Sequence, residues 1–409
     1  MKTIRLKEIE GNSVGYLGLL ALLGAFVLAG LGSAYYMEHH GHWVTGMNNQ
    51  IVWGLPHVFA VFLIVAASGA LNIASISSVF DKKFYKPLAP LSAMLSLALL
   101  IGGLMILVLD LGHPDRLIVA MTYYNFKSIF AWNMILYNGF FLFTGVYLWF
   151  MLDRNMKGYT KYAGFAAFIW RLILTTGTGA IFGFIVARTG YNMAMLAPMF
   201  IIMSFAFGLA IYILVLMAAY KWTDRVLGDA VIVKLRKLLG VFVAAVLYFV
   251  VVYHLTNLYM TNHHDYEAFI LLGTDGGENY SRMFWIGQIA LGSLIPLALI
   301  FAPGASKCRM TLSAASILVI LGGLAQMYTL IIGGQAFPLE IFPGMEVLET
   351  TFFDGVTAQY MPTLAETMLG LSGIAVALII VALSVKVLNL LPETLDDTTV
   401  DPHHKADQA

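Results

Sequence analysis

Ten runs of mostly apolar residues follow one another along the chain, near 16–37, 53–79, 87–110, 129–152, 162–188, 196–220, 238–260, 283–302, 311–334 and 363–388. A helix needs about 20 apolar residues to cross the hydrocarbon core of a bilayer. The pattern therefore predicts an all-α integral membrane protein of ten spans. Pro87 and Pro90 open the third run, and Gly112 and Pro114 stop it, as a helix start and a C-terminal cap require. The first run follows Lys2, Arg5 and Lys7 and contains Gly32-Ser33-Ala34, features shared with a secretory signal. It is longer than the 7 to 15 residues of a signal core, so it reads as a retained span. The chain divides into a short segment 1–15, a membrane domain 16–388 and a polar, disorder-like tail 389–409.

Composition agrees with this pattern and narrows the chemistry. With 60% hydrophobic and 11% charged residues, the chain has far fewer charges than the roughly one quarter of a soluble domain, which excludes a soluble globular protein. Basic and acidic residues balance at 23 each, so there is no excess charge to attract nucleic acid. Cys308 is the single cysteine. The chain therefore cannot form an internal disulfide, an all-cysteine zinc site or its own iron–sulfur cluster, and any cluster must sit on a partner.

Lys and Arg are distributed unevenly. The two terminal segments and the loops after even-numbered spans carry 18 of them, and the loops after odd-numbered spans carry 4. The positive-inside rule predicts both termini in the cytoplasm. The two longest outer loops hold Asp265, Glu267, Asp275 and Glu278 (261–282), and Glu340, Glu346, Glu349 and Asp354 (335–362), an acidic surface large enough to dock a partner.

Polar side chains within spans cost several kcal/mol unless partnered, so each raises a functional question. On the predicted topology His57, Asp110, Asn133, Arg188, His254, Gln288, Gln326 and Glu366 all fall in the outer halves of their helices. The inner half offers Arg171 with Asn72, Ser92, Ser96, Thr175 and Thr178, and no carboxylate. Trp53 and His57, and Asn133 and Tyr137, are four residues apart, and His254, Asn257 and Thr261 follow at three and seven, so each set shares a helical face. His57 and Asp110 together could hydrogen-bond and exchange protons with a head group bearing two carbonyl or hydroxyl oxygens, as a quinone does. Each has a plainer reading: Asp110 as a solvated helix end, His57 as satisfied by a neighbouring carbonyl. For His254 and Glu366 the structural role is the favoured one. Trp43, Trp53, Trp132 and Trp285 suit an interfacial aromatic belt, and Gly179 with Gly183 suits close helix packing.

The segment Asp110-Leu111-Gly112-His113-Pro114-Asp115-Arg116 resembles the DLG-x-P-x-R signature of the NrfD/PsrC family of membrane subunits, and Trp53-Gly54-Leu55-Pro56-His57 with Ser68-Gly69-Ala70 resembles that family's first core helix. The ten-helix length, GLPH and DLGHPDR are most similar to the DsrP branch, found in DsrMKJOP sulfur-metabolism complexes. The resemblance implies a subunit of the bacterial or archaeal cytoplasmic membrane that passes electrons between quinone (menaquinone or ubiquinone) and a periplasmic, ferredoxin-like iron–sulfur subunit, with no metal or haem of its own. It implies that His57 and Asp110 line the quinone head-group pocket as its acid–base groups; the depth reading adds Asn133 from the next helix, with Trp53 and Tyr137 on the same helical faces as further expected quinone contacts. His113, Asp115 and Arg116 would lie at the pocket mouth or under the partner. A tyrosine contact falls on Tyr123, Tyr124 or Tyr137. A DsrP-like subunit would also meet a DsrO-like iron–sulfur protein, a multihaem cytochrome and further membrane and cytoplasmic subunits.

Two other classes compete. A secondary transporter would place its site at mid-membrane and commonly shows repeats, whereas here the outer third is polar and repeats are not seen. A b-type cytochrome would need two facing histidines, for which His57 and His254 are the candidates.

Overall fold

The structure, a computed structural model, describes residues 4–304, 307–339 and 355–400. Glu340, Glu346, Glu349 and Asp354 of the acidic loop, and residues 401–409 of the tail, lie outside the described residues. Among the described residues ten helices are long and apolar enough to cross a membrane: α1 Val14–His40, α2 Leu55–Ser78, α3 Lys83–Leu109, α4 Ile129–Leu152, α5 Lys157–Gly183, α6 Leu196–Trp222, α7 Asp229–Tyr259, α8 Glu278–Phe301, α9 Arg309–Ala336 and α10 Leu364–Val387. The chain is thus an all-α, multi-pass membrane protein.

α2 is the most enclosed helix. It packs on α3, α6 and α10, while α4 and α5 pair and close the ring through α3 and α6. α7, α8 and α9 assemble against the other side of α6, and α1 lies on α10 at the periphery. Lipid supplies no hydrophobic drive between helices, so close backbone approach has to do that work, and small residues permit it. At the α2–α6 crossing a Cβ on Gly69 would collide with the Ser204 carbonyl, and one on Gly208 with the backbone of Gly69 and Ala70. Gly179 and Gly183 meet the backbone at Met193 to Ala197 in the same way.

Two helix limits differ from the sequence pattern. α5 ends at Gly183 rather than near 188, because the chain then folds back so that Arg188 reaches the carbonyls of Gln335 (2.7 Å) and Gln50 (3.0 Å). α7 begins about nine residues earlier than its apolar run, at Asp229. Its extra basic turns are accommodated because Arg236 donates to Leu299, Ile300 and Cys308 carbonyls and to Thr311. The early part of α8, Met283–Leu294, is a π-helix, a widened form frequent at functional positions.

The termini meet at one end of the bundle. Leu6–Lys7 (β1) pairs antiparallel with Leu391–Pro392 (β2). Arg225 donates to the carbonyls of Lys7, Glu8, Leu391 and Pro392. The expected disorder after Leu391 does not extend to the described part: Leu391, Leu395 and Val400 are buried, and Asp397 accepts a hydrogen bond from the Ala230 amide. Apolar residues spaced through a polar tail can still find a groove to fill.

Candidate functional site

Because the spans alternate in direction, the start of α2 and the ends of α3 and α7 share the end of the bundle opposite the termini. There His57 Nδ1, one turn into α2, lies 2.8 Å from Oδ2 of Asp110, the residue that caps α3. The carboxylate is almost fully enclosed, 1% exposed, whereas the imidazole is 21% exposed. Neither Asp110 oxygen has a hydrogen-bond partner among the described residues apart from this ion pair. A buried carboxylate with unused acceptor capacity is costly, and the partly exposed imidazole beside it carries a second nitrogen, Nε2. A ligand with hydroxyl or carbonyl oxygens suits this donor and acceptor set.

The first turn of α2 is held from outside. Gly54 offers no side-chain cap, and Pro56 has no N–H to satisfy. The Leu55 amide donates to the Tyr360 hydroxyl (2.6 Å), which donates in turn to Glu366 Oε1 (2.7 Å). Glu366 Oε2 accepts from the amides of Gly46 and Thr363 and from the Thr363 hydroxyl. Glu366 is therefore the tie between α10, the loop after α1 and the start of α2, the structural role expected of it. Burial and the nearby Glu366 charge push the Tyr360 hydroxyl far above the usual phenol range, which keeps it a donor.

Trp53, just before α2, is half-buried among other rings. Its indole stacks on His57 (centroids 6.1 Å apart) and contacts the rings of Phe130, Phe182 and Tyr191. Gln335 fixes its backbone: Oε1 accepts from the Val52 and Trp53 amides, and Nε2 donates to the Trp53 and Ile331 carbonyls. Gln335 and Tyr360 escaped the sequence reading because they stand more than 280 residues beyond the elements they hold.

The other expected residues divide. Asn133 is buried, its Nδ2 donating to the carbonyls of Ile129 and Gly177, so it ties α4 to α5 beneath the pair. Tyr137 is half-buried and meets Thr178. Tyr123 is exposed, and Tyr124 stacks on Phe126. His113 and Asp115 are exposed and 3.6 Å apart, and Arg116 is exposed beside them. Together with the mostly apolar helix Leu117–Thr122, where Ile118 and Val119 are exposed, they form a surface at the same end. His254 does not face His57. It sits on α7 with Nδ1 2.7 Å from Glu267 Oε2, while Asn257 donates to Oε1. Glu267, expected on the acidic surface, is fully buried by these partners, whereas Asp265, Asp275 and Glu278 are exposed.

The ten-span bundle carries an imidazole–carboxylate pair at one end, and its family and relatives make it a quinone-interacting membrane anchor subunit of a redox complex. The chain belongs to the NrfD family: residues 43–339 match the profile described as Polysulphide reductase, NrfD. It is 29% identical over 398 residues to the Hdr-like menaquinol oxidoreductase integral membrane subunit of Archaeoglobus fulgidus, covering 97% of this chain and 99% of that one. It is 28% identical to a protein of Halobacterium salinarum named as a candidate membrane subunit of dimethyl sulfoxide reductase, covering 92% and 91% of the two chains. A selenate reductase subunit of Mesobacillus selenatarsenatis is 23% identical, covering 87% and 91%.

Proposed function

We propose that this chain oxidises menaquinol, or reduces the quinone, at a site between α2, α3 and α4, and exchanges the electrons with a redox subunit docked over His113, Asp115 and Arg116. The observation that carries the reading is the enclosed His57–Asp110 pair with its unused acceptor capacity. In the quinol direction, His57 faces the Asp110 carboxylate through Nδ1 and presents Nε2 to a quinol hydroxyl. Nε2 takes the hydroxyl proton as electrons leave the ring, and Asp110 stabilises the imidazolium. The second proton leaves the same way once His57 has released the first to the aqueous end. One quinol yields one quinone, two protons and two electrons, and the electrons pass to the partner. Trp53 supplies a flat apolar surface against which a quinone ring can lie.

The lysine and arginine bias supports cytoplasmic termini, which would put the pair and the docking surface on the periplasmic or outer side. A partner of ferredoxin type, DsrO-like, suits this arrangement, and the DLGHPDR signature supports a DsrMKJOP-like complex with a multihaem cytochrome in sulfur metabolism. Menaquinol is favoured over ubiquinol by the name of the Archaeoglobus relative.

Replacing His57 by Ala or Asp110 by Asn tests the site. Quinol-linked electron transfer should fall about 10²- to 10⁴-fold, the usual range for a lost acid–base group, while the subunits still assemble. Normal turnover in both variants would remove the site.

A further inference from the structure

Inside the α6–α9 half of the bundle a cavity is lined by Tyr253 and His254 of α7, Gln288 of α8, Gln326 and Thr329 of α9, and Tyr266 from the short helix His264–Leu271. It offers about 30 Å³ to the centres of water molecules. A second cavity of about 10 Å³ shares Gln288 and Gln326 with it and continues to Ser293 at mid-bundle. A water needs about 10–15 Å³ measured this way, together with two or more polar partners. The partners are present: Gln326 Nε2 and the Thr329 hydroxyl are buried without any hydrogen-bond partner among the described residues, in side chains 4% and 5% exposed. The space is too small for a quinone ring, and an apolar filling would leave both groups unsatisfied at several kcal/mol in a lipid surrounding. His254 of its wall contacts Glu267, which Asn257 also binds, so a proton can be shared along the His254–Glu267 contact.

We propose that these joined cavities hold a cluster of bound water which, with the His254–Glu267 pair, forms a second proton-exchanging site, separate from the His57–Asp110 pair. The proton moves between the imidazole–carboxylate pair and the first water, and no electron transfer is involved. The titratable groups facing Glu267 are His254 and Tyr253 of α7, His263 of the turn that follows, and Tyr266 on its own helix. The α8 and α9 side chains facing the cavity, Gln288, Gln326 and Thr329, are neutral. Burial lowers the His263 imidazole, and His254 is the imidazole in direct contact with the Glu267 carboxylate.

Radiolytic hydroxyl labelling of the full chain in lipid nanodiscs reads bound water directly. Tyr253, Tyr266 and Met199, which line the cavity, should be modified several-fold faster than Tyr147 and Tyr212, which are also buried but line neither cavity. Gln326→Leu with Thr329→Val should abolish that excess. Infrared difference spectra across pH, in H₂O and D₂O, should contain a carboxyl band that shifts with deuteration and is lost in Glu267→Gln. Labelling of the cavity residues no faster than at Tyr147 would overturn the proposal, as would wet cavities with no Glu267 band that responds to pH.

Discussion

Asp110 carries a carboxylate at the end of an apolar helix, and its environment decides whether that charge is a solvated end or a working group. At 1% exposure, beside one imidazole, it is enclosed, so the plainer reading of a solvated terminus does not hold. The plainer reading of His57 fails as well, since its near partner is a carboxylate and not a backbone carbonyl. What positions the pair is remote. Gln335 makes four hydrogen bonds around Val52, Trp53 and Ile331, and a buried amide left unpaired costs about 1–3 kcal/mol. Gln335→Met should therefore release Trp53 from His57. The expected result is a raised KM for quinol with kcat within about threefold of the parent, because the proton acceptor itself is untouched. Steady-state kinetics with a soluble quinol analogue checks this, and a kcat loss as large as that of Asp110→Asn would mean Gln335 acts in the chemistry.

At the scale of elements, the α2–α6 crossing sets the position of the site helix. Gly69→Ala would put a methyl into the Ser204 carbonyl, backbone that cannot yield without moving α6. Overpacking of this kind costs about 1–3 kcal/mol, so a lower midpoint of thermal unfolding in detergent is expected, with Gly15→Ala, which meets nothing, as the silent comparison. The loop from α3 to α4 gives a different expectation. Arg116 is exposed in the isolated chain, so Arg116→Ala should leave the unfolding midpoint unchanged. If Arg116 forms a desolvated bidentate pair under a redox partner, its removal costs about 3–5 kcal/mol. Loss of that partner on purification in mild detergent would reveal it, and unchanged retention would exclude Arg116 from the interface.

For the whole molecule the question is charge movement. The pair, the exposed surface around His113 to Arg116 and the His254–Glu267 contact all occupy the end opposite the termini. In the other half Arg171 is enclosed, its Nη1 bound to the Ser68 carbonyl and to Asn72, with the rings of Phe168 and Phe205 alongside. A guanidinium is a poor relay because it does not readily give up its proton, and no carboxylate pairs with it among the described residues. Protons and electrons should therefore be exchanged on one side of the membrane. In sealed liposomes carrying the assembled complex, quinol oxidation should produce no membrane potential that depends on Arg171, Asn72 or Thr175. An uncoupler-sensitive potential abolished by changing these residues would contradict it.

Ten spans, His57 and Asp110 as site candidates, and the family signature could be read along the chain, because apolar length, helical spacing and a compact motif are local properties. The fold-back of Arg188, the holding of α2 by Tyr360 and Gln335, and the conversion of Glu267 from an assumed surface charge into the buried partner of His254 could not. Each joins groups on separate elements, and a lone glutamate in a loop has the same appearance in sequence whether water or a histidine will meet it. Helix packing decides this, because enclosing a charge is tolerated only where the fold supplies its partner.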